Sequence, residues 1–130
     1  MTRVSPFLTF SGQCTQAMAL YEKALKAKVT YKKEYDANKN LIFHAQMKVG
    51  KHLIMLCDGD DTTLGSGKEQ RASEVCLCAE FDTPEEVKAA FDIMSDGAKI
   101  IEPFSSASYS KSFVFLEDKF GIRWWLMTAE

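Results

Sequence analysis

The two halves of this 130-residue chain repeat one another at a fixed offset, and no other feature narrows the fold as much. Phe10 and Phe81 differ by 71 positions, as do Ala19 and Ala90, Leu20 and Phe91, and Gly50 and Gly121. At the same shift Ala27-Lys28-Val29 falls on Ala98-Lys99-Ile100. Leu53-Ile54-Met55-Leu56 likewise falls on Trp124-Trp125-Leu126-Met127. A shift that carries apolar residues and glycines together implies two like modules, each too small to bury a sheet well alone.

The pattern inside each half predicts the same elements. Val4 to Phe10 reads as a strand, and a helix starts near Gln13 with Cys14, Ala17, Met18, Tyr21, Ala24 and Leu25 on one stripe. Strands follow at Val29–Tyr35, Leu41–Val49 and Leu53–Cys57, separated by a polar cluster at 36–40 and a tight reversal at Gly50-Lys51. In the second half, Val75, Leu77, Ala79 and Phe81 alternate with polar residues along a strand from Glu74 to Phe81. Thr83-Pro84-Glu85-Glu86 is a helix start with a capping hydroxyl, a first-turn proline and a glutamate able to reach back. Val87, Ala90, Phe91 and Met94 form that helix's apolar stripe, and Gly97 ends it. Lys99–Ile101, Ser112–Leu116 and Ile122–Thr128 are the last strands. The reading is an α+β fold of two βαβββ modules, 1–62 and 73–130, joined by a polar, Gly-rich linker loop at 63–72 in one domain.

Composition removes several functions. An apolar fraction of 46% with 26% charged residues is that of a folded globule. A net charge of −2 provides no concentrated positive field for nucleic acid or an anionic membrane surface. No apolar run approaches the roughly 20 residues of a spanning helix, and none at the N-terminus resembles a secretory signal. Four cysteines, Cys14, Cys57, Cys76 and Cys78, make neither a disulfide framework nor a CxxC pair. A reduced, cytoplasmic compartment fits them.

Three stretches carry a family likeness: Pro6–Gly12 leading into Ala17–Leu25, His44–Gly50 with Leu53–Asp58, and Asp118–Trp124. With the duplication, they make the chain similar to the vicinal oxygen chelate superfamily of glyoxalase I, bleomycin-resistance proteins and extradiol dioxygenases. The wording most resembles the PhnB-like branch, whose members carry the name of a demethylubiquinone methyltransferase. This resemblance implies a curled mixed sheet around a cleft, and a homodimer. In metal-dependent relatives it also implies His, Gln or Glu side chains on four strands holding one divalent cation, which acts as a Lewis acid.

The ligand positions implied by that resemblance are Ser5 or Phe7, Ile54 or Met55, Cys76 or Cys78, and Trp125. The 71-residue shift favours Ile54 as the partner of Trp125, and direct matching favours Met55. Only a cysteine among these could ligate, and one thiolate does not make a mixed nitrogen and oxygen site. Neither the first nor the last strand contains His, Glu or Gln. The expectation is therefore no metal and no cofactor.

The candidate cleft residues are Phe7, His44, Cys76, Cys78, Arg123 and Trp125. His44 shares a strand face with Ile42 and Gln46, and the 71-residue shift sets it against Phe115. It reads as a hydrogen-bonded structural histidine or as an acid–base group. His52 begins the next strand and is expected to be exposed. Cys76 and Cys78 share one face, where Glu74 and Glu80 oppose thiolate formation. Trp124 belongs to the core, whereas Trp125 forms an aromatic wall and Arg123 offers a cation to a carboxylate or phosphate. Asp60-Asp61 reads as solvated loop, and Ser105–Ser110 is too irregular for a phosphate cradle, which uses glycines and a following helix start. Three functions stay open. The first is metal-independent binding of a small molecule. The second is an enzyme using His44 or a cysteine without the usual metal, and the third is a dimeric interaction module with a filled cleft.

Overall fold

Each half opens with a short strand that runs parallel to the strand that closes the half, with a helix packed behind the pair. The computed structural model describes residues 2–59, 75–106 and 112–128. In the first half these elements are β1 (Phe7–Phe10), α1 (Cys14–Leu25), β2 (Lys28–Glu34), β3 (Ile42–Val49) and β4 (His52–Asp58). In the second they are β5 (Leu77–Phe81), α2 (Pro84–Met94), β6 (Lys99–Ser106), β7 (Ser112–Glu117) and β8 (Arg123–Thr128). The sheets have orders β1-β4-β3-β2 and β5-β8-β7-β6, with only the first pair of each parallel. The chain divides into two compact units, Met1–Glu69 and Gln70–Glu130. The expected linker at 63–72 lies outside the described residues.

Local chemistry explains the helices. All six stripe residues of α1 are buried. Lys26 ends α1 in the left-handed conformation at φ 55°, whereas α2 is capped by Ser95 in the right-handed conformation and Gly97, 71 residues after Lys26, takes the left-handed one at φ 73° in the turn that follows. In α2 the Thr83 hydroxyl accepts from the Glu86 backbone N–H at 3.2 Å and donates to the Glu86 carboxylate at 3.1 Å. Val87, Ala90 and Met94 are buried, whereas Phe91 is half-buried beneath the Lys88 ammonium. No helix among the described residues is long and apolar enough to cross a membrane.

The strands differ from expectation at their ends. β1 begins at Phe7 and β5 at Leu77, because Val4 and Val75 are 93% and 75% exposed and lie before the parallel pairings start. β6 continues past Ile101 through Pro103 to Ser106. Proline is tolerated there because β6 is an edge strand, whose outward N–H groups have no ladder partner.

The repeat offset itself drifts. The pairs Phe7 with Met55 and Cys78 with Trp125 occupy equivalent places, so β1 and β5 differ by 71 but β4 and β8 by 70. For β3 and β7 the offset is 69, since Met47 pairs with Ile54 as Leu116 pairs with Trp124. The β2–β3 connection is two residues longer in the first unit, and the β3–β4 turn is one residue shorter. Two expectations are thereby corrected. Trp125 corresponds to Met55 rather than Ile54, which is buried. His44 corresponds to Phe113, while Phe115 corresponds to Gln46.

Candidate functional site

Alternation along the strands separates a face packed on each helix from a face turned away from it. In the first unit Ala45, Met47, Ile54 and Leu56 are buried on the helix side. His44 and Gln46 on β3 and Met55 on β4 take the other face. Ile42 does not join them, as the sequence pattern predicted. It is buried and its N–H donates to Asp58 Oδ2 at 2.9 Å, because the β2–β3 register slips between Lys33 and Glu34 and breaks the alternation.

His44 stands among rings. The Phe7 ring centroid is 5.5 Å away and the Tyr31 centroid 5.9 Å away. The Gln46 side-chain nitrogen lies 3.2 Å from His44 Nε2. Phe7 and Tyr31 are half exposed, at 51% and 48%. His52, the first residue of β4, is exposed as expected.

In the second unit Val114, Leu116, Trp124 and Leu126 are buried on the helix side. Trp124 also donates from its indole nitrogen to Asp118 Oδ2 at 3.0 Å, which fixes it as a core residue. On the opposite face Trp125 lies flat against Phe115, with centroids 4.5 Å apart and planes 5° from parallel. Phe113 leans on the same indole at 6.0 Å. Cys78 is the cross-strand neighbour of Trp125 and is exposed, as is Cys76 just before β5. Burial of its sulfur pushes the Cys78 thiol above its ordinary pKa, and Glu80 and Cys76 push the same way. Arg123 is already engaged, donating from Nε to Glu117 Oε1 at 3.2 Å.

The sequence candidates therefore fall into two groups, Phe7 with His44 on the first sheet, and Cys78, Arg123 and Trp125 on the second. Cys76 precedes the second group. Tyr31, Phe113 and Phe115 were missed. Phe115 was set against His44 by the constant 71-residue shift, and only the shorter offset of β7 reveals its place beside Trp125. Tyr31 looked like one polar-strand residue among several, and its face is set by the irregularity between Val29 and Tyr31. A further pocket of about 320 Å³ lies at the turn end of β2 and β3, lined by residues that include Lys33, Tyr35 and Phe43. It contains none of the sequence candidates. Asp60-Asp61 and residues 107–110 of the serine-rich stretch lie outside the described residues.

The donor set does not fit the divalent cation of metal-dependent relatives. The positions in question hold Phe7 beside Met55 in one unit and Cys78 beside Trp125 in the other. A phenyl ring, a thioether, a thiol and an indole are not the imidazole and carboxylate ligands such ions require. Among the described residues no three His, Cys, Asp or Glu side chains are grouped closely enough to hold a metal.

Comparison with known proteins agrees with the architecture. The sequence model of the family described as 3-demethylubiquinone-9 3-methyltransferase matches residues 2–127. Protein YjdN of Escherichia coli is 28% identical over 139 residues, covering 93% of this chain and 91% of that protein. A PhnB protein from Bacillus cereus, bearing the same methyltransferase name, superposes with a TM-score of 0.84 at 24% identity, over 98% and 100% of the two chains. The fosfomycin resistance protein FosX of Listeria monocytogenes, solved with Mn(II) and sulfate, superposes with a TM-score of 0.70. Its 11% identity, over 100% of this chain and 94% of FosX, is a likeness of fold alone.

Proposed function

Because the chain belongs to the 3-demethylubiquinone-9 3-methyltransferase family, the PhnB-like branch with a glyoxalase-like fold, we propose that it binds a small flat organic molecule without a metal ion. The observation that carries this reading is the aromatic wall of the second sheet. Phe113, Phe115 and Trp125 lie on the face turned away from α2, partly exposed, while a separate set of side chains fills the core behind them. Large rings left partly exposed side by side, two of them stacked, suit a flat ligand, which gains both dispersion and buried apolar area on them.

The reacting groups that an enzyme would need are poorly placed for chemistry. Nε2 of His44 is held by Gln46, and partial desolvation and Glu80 push the Cys78 thiol above its ordinary pKa, away from the thiolate a nucleophile needs. Binding rather than turnover is thus the reading supported by these side chains.

The test is a panel of planar aromatic compounds, scored by thermal stabilisation and tryptophan fluorescence. A ligand that binds the native state alone raises the melting temperature, and one that stacks on Trp125 quenches its emission. Trp125→Leu should abolish both responses, with buried Trp124 still emitting. A panel that produces no stabilisation, or stabilisation unchanged by Trp125→Leu, overturns the proposal.

A further inference from the structure

Charge is divided unequally between the halves. Met1–Glu69 carries ten Lys and Arg against seven Asp and Glu, whereas Gln70–Glu130 carries six against eleven. The helix-free faces of the two sheets show the same bias. On the second, Glu80, Glu102 and Glu117 share the side of Trp125 and outnumber its two cations, exposed Lys99 opposite Glu117 and Arg123, which is committed to Glu117. The cation that the sequence offered for a carboxylate is therefore already neutralised.

The first sheet is the reverse. Lys33 stands directly opposite His44 in the β2–β3 register, and Lys48 follows Gln46 by two positions on β3, so both share the His44 face. Both are exposed. Of the acidic residues of these strands, Asp58 is turned into the core, whereas Glu34 lines the pocket at the turn end of β2 and β3 together with Lys33. Glu34 is opposite buried Ile42, and Asp58 is itself buried with both carboxylate oxygens accepting backbone N–H bonds. Next to the lysines, Phe7 and Tyr31 present half-exposed rings around His44.

We infer that this face of the first sheet is a binding site for an aromatic carboxylate. The ligand's ring lies against Phe7 and Tyr31, and its carboxylate accepts from Lys33 and Lys48. Lys33 now rests over the exposed Phe43 ring at 5.5 Å, a solvated cation–π contact weak enough to be exchanged for a carboxylate. His44, held by the Gln46 amide at 3.2 Å from its Nε2, fixes the floor between the two rings. The inference is carried by the first unit alone, and it stands apart from the Trp125 reading.

The chain contains only two histidines, so the imidazole NMR signals of His44 report this face directly, while the indole N–H of Trp125 reports the second sheet. Titration with 2-naphthoate should move the His44 signals saturably. The neutral isostere 2-naphthamide should bind about tenfold more weakly, the preference a single charge-assisted contact provides. Added salt should erode the preference, as should the double substitution Lys33→Gln and Lys48→Gln, both at exposed positions that leave the core intact. Equal binding of naphthoate and naphthamide at His44 would overturn the charge selection. Naphthoate that moves only the Trp125 signal, or neither signal, would overturn the site. Only the last result would also count against the Trp125 reading.

Discussion

Two aspartates with no access to solvent do structural work that their charge would seem to forbid. Asp118 is 3% exposed, and its carboxylate accepts from the N–H groups of Phe120 and Ile122 and from the Trp124 indole. Asp58 accepts from Cys14 and Ile42 in the same way. Thr128 holds the equivalent of the Ile42 bond in the second unit, its hydroxyl accepting from the Ser112 N–H at 3.2 Å. A buried carboxylate is tolerable only when its lone pairs are used. Asp118→Ala leaves three donors without this acceptor and should lower unfolding free energy by about 3 kcal/mol in urea denaturation. A loss under about 1 kcal/mol would contradict that role. Cys14 gives a second residue-scale prediction. Burial, with Asp58 and Cys57 nearby, pushes its thiol up from 9.0 to about 12. Between those values the unfolded chain releases a proton that the folded chain keeps, so stability falls as pH rises above 9. Urea midpoints measured from pH 8 to 10.5 should decline less steeply for Cys14→Ala than for the parent chain. Equal slopes would place the alkaline loss elsewhere.

At the scale of elements, the chain was readable wherever the signal is local. The stripe of α1 and the Thr83 cap of α2 depend on spacing within a few residues, and the structure matches them. Strand register depends on turn lengths summed along the chain, and there the reading slipped. The four residues 49–52 between the paired Lys48 and Leu53 answer to five, 118–122, between the paired Glu117 and Arg123, although Gly50 and Gly121 keep the 71-residue spacing and both have positive φ. Matching glycines concealed that one-residue change, and the two-residue difference in the β2–β3 connection gave Phe115 the wrong partner. The drift also explains why Ile54 and Met55 could not be separated before the pairing of β1 with β4 was known. Two substitutions test the helix ends. Thr83→Ala should cost about 1 kcal/mol through loss of the hydroxyl cap. Lys26→Gly should stabilise the chain by about 0.5–1 kcal/mol, since it places at φ 55° the residue type already found at position 97. Denaturant midpoints check both, and destabilisation by the glycine would mean that the Lys26 side chain contributes more than its backbone strain.

For the whole molecule, duplication provides two sheet faces that have diverged in chemistry. One sets rings beside Lys33 and Lys48, the other sets rings among Glu80, Glu102 and Glu117 with Lys99 and Arg123, and neither presents the imidazole and carboxylate set of a metal-dependent relative. The family likeness was legible in the order of short motifs, and the lack of His, Glu or Gln on the first and last strands was legible too. Tyr31 was not, because its face is set by a bulge. Phe113 alternates regularly with buried Ser112 and Val114, and only its place beside Trp125 depended on the shifted offset. The central claim is ligand binding independent of metal. The most direct measurement is titration of a stabilising aromatic ligand into protein dialysed against chelator, compared with the same protein supplied with divalent manganese, zinc or nickel. The account predicts one dissociation constant in every case. Binding that disappears with chelator and returns with a divalent ion would contradict it.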